Sequence, residues 1–244
     1  MRLRFNLVVV AVVLVLLSAF GALPMVCIAA GAPPADDKAK VLERLNESAR
    51  NFQSTSADVE FETIETDPVP DTDVQKGLVY YERKDGSFRA GVHFSQHNGK
   101  PSAKAYTYNN GVFSLYEPGP NEVTNYSKAG KFESYLILGF GASGRELESK
   151  WDITYLGSET LSDGKAQVKT EKLELIAKDP DVRKNVPKVT IWVDAERAVS
   201  LKQVFTLSST STYVGHYTNF RMNQTLPADA FKFKTDSKTV FKTQ

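Results

Sequence analysis

The sequence predicts a mainly β protein with helices (α+β): a single half-open antiparallel β-barrel of about eleven strands, covered by an N-terminal helix and short lid helices. Three observations lead there. Apolar residues recur with period two through most of the chain from Ala57 onward, turn residues separate these segments at short intervals, and helical spacing is confined to the start and the middle. A sheet this wide curls, and partial closure leaves fewer strand edges open to pairing with another chain.

The first 32 residues stand apart. Arg2 and Arg4 precede an unbroken apolar run from Leu7 to Leu17, followed by Gly21, Pro24 and the small residues Ala29, Ala30, Gly31 and Ala32. That is the layout of a cleaved signal peptide at 1–32, leaving one domain at 33–244. Two alternatives remain open: an uncleaved anchor, since Leu7 to Ala30 is long enough to cross a bilayer, and a lipid-modified Cys27, against which Val26 speaks. Cys27 is the only cysteine, so cleavage near Ala32 leaves an exported chain without disulfides, which fits a bacterial periplasm. The three Asn-x-Ser/Thr triplets at Asn46, Asn125 and Asn223 are then chance. Loss of Arg2 and Arg4 takes the formal charge from +1 to −1 and removes any net attraction for nucleic acid.

Beyond Pro33-Pro34, Asp36 and Asp37 offer N-caps to a run in which Val41, Leu42, Leu45, Ala49 and Phe52 recur at helical spacing. From Ala57 the period becomes two: Ala57, Val59, Phe61 and Thr63 alternate with Asp58, Glu60 and Glu62, whose acidic side reads as a solvated face. Strands are expected at 57–63, 77–83, 87–95, 103–109, 112–117 and 121–127, and Asn110-Gly111 is the strongest hairpin signal among their turns. Between Lys131 and Lys150 the alternation stops and two short helices are expected around Gly139, Gly141 and Gly144. Strands resume at 151–158, 166–177, 188–194, 198–208 and 211–221, with a last short one at 231–234.

No motif supplies a catalytic constellation. Gly139-x-Gly141-x-x-Gly144 has the spacing of a dinucleotide fingerprint, but the chain does not continue into alternating helices and strands, so it reads as a loop. Ser143 lacks the glycine spacing of a nucleophile elbow. His93 and His97 lie four apart on a strand, about 13 Å, too far to share one metal ion, and His216 belongs to another strand. No cofactor, no metal and no enzymatic activity are expected. What remains is a set of bulky side chains, Tyr80, Phe94, Tyr106, Tyr108, Phe113, Leu115, Trp192, Phe205 and Tyr213. They either pack a closed core or line an apolar cavity.

Several stretches, in order, resemble the LolA-type periplasmic lipoprotein carriers. These are "NFQSTSADVEFE" (51–62), where a helix leads into a strand, "GLVYYERKDG" (77–86), "NNGVFSLYEPGPNEV" (109–123) and "YTNFRMNQTLPADAFKF" (217–233). The resemblance spans the mature chain through short motifs. It implies an unclosed antiparallel barrel with a helical lid, whose apolar cavity holds acyl chains of lipoproteins on their way from the inner to the outer membrane. An inner-membrane ABC transporter as donor, an outer-membrane acceptor, transient contact with membrane surfaces and a monomeric carrier are implied with it. The bulky residues named above would then line the cavity. Arg83 matches the family's strand-end arginine that holds the lid shut; the plain alternative is a surface arginine paired with Glu82 or Asp85. The sequence departs from the pattern at Lys84, where the family has proline, and at "HNGKPSAK" (97–104), which lengthens the next connection. A sensor of the same fold, acting through protein contacts, is the alternative function.

Overall fold

The computed structural model describes residues 35–84, 86–127 and 133–244; the signal peptide and linker expected at 1–34 lie outside them, as does Asp85. Helix α1 (Ala35–Arg50) precedes six strands, β1 (Ser54–Glu65), β2 (Asp71–Lys84), β3 (Ser87–His97), β4 (Lys100–Asn109), β5 (Val112–Glu117) and β6 (Glu122–Tyr126). Two short helices follow, α2 (Glu133–Leu136) and α3 (Gly144–Lys150), then β7 (Trp151–Ser162), β8 (Gln167–Ala177), α4 (Pro180–Asn185), β9 (Lys188–Asp194), β10 (Val199–Thr206), β11 (Ser211–Met222) and β12 (Val240–Thr243). All twelve strands form one sheet in the order β12-β6-β5-β4-β3-β2-β1-β11-β10-β9-β8-β7. The sheet is antiparallel apart from the parallel β12–β6 pair and does not close, since β12 and β7 are its two edges.

Bulges bend the sheet at Ser56–Asp58, Lys76–Gly77, Phe94–Gln96, Tyr155–Ser158 and Ser200–Lys202. The Asn110-Gly111 turn has φ of +50° and +80°, as a type I′ hairpin requires. Asn98-Gly99, at +50° and +74°, is a second turn of the same kind, so residues 97–104 extend β3 and β4 rather than a loop.

The concave face is covered by two apolar clusters. One joins Val41, Leu42 and Leu45 of α1 and Leu147 of α3 to Leu173, Leu175, Val189, Ile191 and Val193 of β8 and β9. Each such side chain, fully buried, contributes about 1.5–3 kcal/mol. The other gathers Ala57, Val59, Val79, Tyr81, Phe88, Tyr108 and Tyr217 around Phe52 and Phe140. Phe140 belongs to the loop between α2 and α3, which enters the sheet as a plug. Its backbone pairs with the start of β10: the Ser200 N–H donates to Gly139 O at 2.6 Å, and the Gly141 N–H to Ala198 O at 2.8 Å. Gly139 and Gly141 have φ of +68° and +72°, and a side chain at Gly141 would overlap the Phe52 ring. The glycine run is thus the geometry of an inserted loop.

Two expectations are corrected. The strand at 231–234 is absent; that stretch belongs to a strap that crosses the convex face, and the final strand is β12. Asp36 and Asp37 lie within the first turn of α1, so neither is its N-cap. The strap is seated by close approach: His93 Nε2 lies 3.2 Å from Ala230 O, the Arg89 guanidinium lies over the Phe231 ring at 4.4 Å, and Phe233 packs on Tyr116 with ring centroids 5.5 Å apart. A Cβ at Gly91 would overlap the Ala230 carbonyl oxygen. Because that obstacle is backbone, Gly91→Val is expected to lift the strap, at a cost of about 1–3 kcal/mol. Limited proteolysis would show faster cleavage within residues 224–239; an unchanged digestion pattern would contradict this seating.

Candidate functional site

Strand parity distributes the bulky side chains. On β1, Ala57, Val59 and Phe61 face the concave side, and register carries that face across the sheet: Tyr106 stands opposite Leu115, Tyr108 opposite Phe113, Phe113 opposite Tyr126, and Phe205 opposite Tyr213. Phe94, Tyr106, Tyr108, Phe113, Leu115, Phe205 and Tyr213 therefore share the concave face. Tyr80 and Trp192 stand on the convex face instead. Tyr80 meets His93 edge-on at 5.5 Å near the strap, while its neighbours Val79 and Tyr81 point inward. Trp192 lies between the ammonium groups of Lys172 and Lys202, at 4.7 and 4.8 Å, and its Nε1–H donates to Glu159 at 2.6 Å.

Six rings on the concave face form a continuous belt across the sheet. Tyr213 and Phe61 have centroids 5.6 Å apart, Phe61 and Phe94 6.4 Å, Phe94 and Tyr106 6.1 Å, Tyr106 and Phe113 5.6 Å, and Phe113 and Tyr126 6.1 Å. Phe61 and Phe94 meet across β2 beside Gly77, which stands opposite Phe94 and has no side chain to separate them. Phe61, Tyr106, Phe113, Tyr126 and Tyr213 are only half-buried, although Tyr108 beside them is 1% exposed. Burial pushes the phenols of Tyr106, Tyr126 and Tyr213 upward, that of Tyr106 to about 12, so the belt carries no charge near neutral pH. Phe61 and Tyr126 were not among the expected lining residues; the period-two pattern at Ala57-Val59-Phe61 was the signal for the first.

A second group of residues fixes α3. The Arg83 guanidinium, at the end of β2, donates to Glu146 Oε1 of α3 at 2.7 Å. The other Glu146 oxygen accepts from the Ser143 N–H at 2.8 Å, while Ser143 Oγ accepts from the Glu146 N–H at 3.2 Å, closing a capping box. One carboxylate thus joins the helix cap to the barrel wall. Glu82, the alternative partner of Arg83, is engaged by Arg89. Burial pushes the Glu146 carboxyl up, but the Ser143 N–H and the Arg83 guanidinium outweigh it and hold the group below its ordinary value.

Two cavities beside the helices are lined mainly by charged and polar residues. One of about 410 Å³ is lined by Asn46, Ala49, Arg50, Arg83, Gly141, Ser143, Arg145 and Glu146. Another of about 600 Å³ runs between α1 and the β7–β8 hairpin around Arg44 and Glu171. Among the described residues no cluster of His, Cys, Asp and Glu has metal-binding geometry.

No family model matches the chain, and no curated protein is similar to it at the sequence level. Solved structures are similar to it in fold. An uncharacterized conserved protein from Thermus thermophilus is 12% identical, with a TM-score of 0.51 over 85% of this chain and 99% of that one, and shares the fold. A LolA superfamily protein from Nitrosomonas europaea is 15% identical, with a TM-score of 0.40 over 80% of this chain and 97% of that one. MucB in the Pseudomonas aeruginosa MucA/MucB complex is 13% identical, with a TM-score of 0.44 over 81% of this chain and 61% of that one. The unclosed antiparallel sheet with helices on its concave face agrees with the half-open barrel expected from the sequence.

The Arg83–Glu146 contact has a defined pH dependence. Because the folded-state pKa of Glu146 is depressed, the stabilisation is complete above the ordinary value of 4.5 and is lost as pH falls through the lower folded value. Trp151, which caps α3, reports on that helix. In a Trp192→Phe background, acidification from pH 7 to 3 should shift Trp151 emission, and Glu146→Gln should remove the part of the shift that falls below pH 4.5. Identical titrations for the two proteins would show that the contact does not hold α3.

Proposed function

We propose that the chain is a periplasmic carrier, exported by a leader at 1–32, whose domain at 33–244 binds the acyl chains of lipoproteins and takes them from the inner to the outer membrane. The observation that carries this reading is the belt of six uncharged rings, five of them half-buried, on the concave face of an unclosed sheet. Phe94, Tyr106, Phe113, Leu115, Phe205 and Tyr213 are the proposed contacts for the chains, with Phe61 and Tyr126 added, and no step of chemistry is assigned to them. An ABC transporter would load the carrier and an outer-membrane acceptor would unload it.

Magnitudes allow the exchange. Leu138 and Phe140 are 0% exposed, so the plug fills the space next to the belt and must move for a long chain to enter. Exposing these two side chains forfeits on the order of 3–6 kcal/mol, whereas burying a dozen methylenes returns on the order of 10 kcal/mol. Arg83 is the proposed latch, because it ties α3, next to the plug, to β2. A charge-assisted hydrogen bond at a half-exposed site is strong enough to bias the lid and weak enough to break in each cycle.

The filled interior also favours a second reading, a sensor of the same fold that uses the concave face and lid to hold a partner protein. Native mass spectrometry of the mature protein, purified from periplasm without detergent and then extracted with solvent, separates the two. Bound lipid or lipoprotein supports the carrier; an apo mass with no uptake of a fluorescent fatty acid removes it in favour of the sensor. For the latch, Arg83→Leu should accept acylated cargo as well as the parent but pass it to acceptor membranes at least about tenfold more slowly. Transfer at the parent rate would remove Arg83 from the mechanism.

A further inference from the structure

The 410 Å³ cavity beside α3 has an unusual charge balance: three arginines, Arg50, Arg83 and Arg145, and a single carboxylate, Glu146. Glu146 is engaged by Arg83 and by the Ser143 cap, and Asn46 is used by the Arg145 N–H and by Glu43. Among the described residues neither Arg50 nor Arg145 has an acidic partner, and Arg83 Nε is buried without an acceptor. Arg83 Nε is sealed from the cavity and takes no part in it, whereas Arg50 and Arg145 are exposed on its wall and leave their guanidinium groups open to an anion that enters.

We infer that this cavity is a phosphate site, filled by a phosphomonoester or phosphodiester that takes the open N–H groups of Arg50 and Arg145 and draws the terminal N–H groups of Arg83 away from Glu146. A tetrahedral oxyanion suits the arrangement because it presents several oxygens to several planar donors at once, where a lone carboxylate serves one or two. The same anion competes with Glu146 for Arg83, so binding weakens the latch. The group could belong to the headgroup of an acidic phospholipid or to a soluble phosphate. In the first case the lid is loosened where the protein meets an anionic membrane. The site deepens the carrier reading and rests on it for its purpose, while phosphate binding itself stands on the arginines alone.

The full mature chain and an Arg50→Gln/Arg145→Gln variant, matched by circular dichroism, would be titrated calorimetrically with inorganic phosphate at constant ionic strength. Both would also be sedimented with phosphatidylglycerol and with phosphatidylcholine vesicles. Saturable phosphate binding, weakened at least about tenfold in the variant, is expected. Selective sedimentation of the parent with phosphatidylglycerol assigns the headgroup as the source; equal sedimentation of parent and variant, with phosphate binding retained, assigns soluble phosphate. Absence of phosphate binding by the parent together with equal vesicle binding overturns the inference, as does phosphate binding that the variant leaves unchanged. Uptake of uncharged monooleoylglycerol, read in parallel, separates the two ideas: if it persists while phosphate fails, the carrier reading stands and the phosphate site falls.

Discussion

Phe140 stacks on Tyr81 with centroids 3.8 Å apart and meets Tyr217 edge-on at 5.0 Å, and the placement of the helices follows from this contact. A sheet of twelve strands has far more concave apolar surface than four helices can cover, three of them with fewer than eight residues. The structure solves this by pushing a loop into the sheet, with a ring at its tip and glycines on either side where a side chain would collide. The buried backbone of such a loop needs partners. Gly139 finds its partner in Ser200 of β10 and Gly141 in Ala198 just before that strand, and Leu138 O accepts from the Gln203 side chain, whose own oxygen accepts from Tyr217 OH at 2.9 Å. Burial pushes the Tyr217 phenol far up, so it stays neutral and serves as a donor.

With the plug in place the concave face divides. Toward β7–β10 it is sealed by α1, α3 and α4, with Tyr135 donating to the carbonyls of Val182 and Val186 at 2.9 and 3.2 Å. Toward β4–β6 the rings remain half-buried. Tyr108 sits on the boundary, donating to Glu133 of α2 and so tying the hairpin of β4 and β5 to the plug. Movement of the plug would therefore be felt at both the belt and α3, the helix that Arg83 ties to β2.

The legible parts of this architecture were those where one strong local rule acted alone. The alternation at Ala57-Val59-Phe61 and the Asn110-Gly111 turn each admit one reading, and both describe the structure. Parity failed where aromatic residues are adjacent or flanked by aliphatics on both sides. In Val79-Tyr80-Tyr81 and Ile191-Trp192-Val193 both faces are covered, one by the core and the other by the strap or by lysine stems, so no polar neighbour marks the inside. The strap was illegible for another reason: "FKFK" alternates like a strand, but its partners are side chains on a convex face rather than a sheet edge. Arg83 was found through a motif resemblance, since nothing within the sequence pairs it with Glu146 sixty-three residues away.

How the fold treats its aromatic residues on the two faces bears on function. On the convex side three large rings are given a cover: Tyr80 and Tyr116 lie beneath or beside the strap, and Trp192 lies between two ammonium groups with its N–H satisfied, while Phe241 on the edge strand β12 stays exposed. The strap itself is held by a backbone contact that any side chain at Gly91 would block. On the concave side, where a helix or loop could as readily have been placed over the rings, Phe61, Tyr106, Phe113, Tyr126 and Tyr213 keep part of their surface open. Scattered exposed apolar residues need no explanation, but a contiguous row of them does. The strap at 223–239 thus seats Tyr80 and Tyr116 on the outside, whereas on the inside the row from Tyr213 to Tyr126 is packed ring against ring with no helix or loop laid over it, and that asymmetry is what the proposed carrier reading draws on.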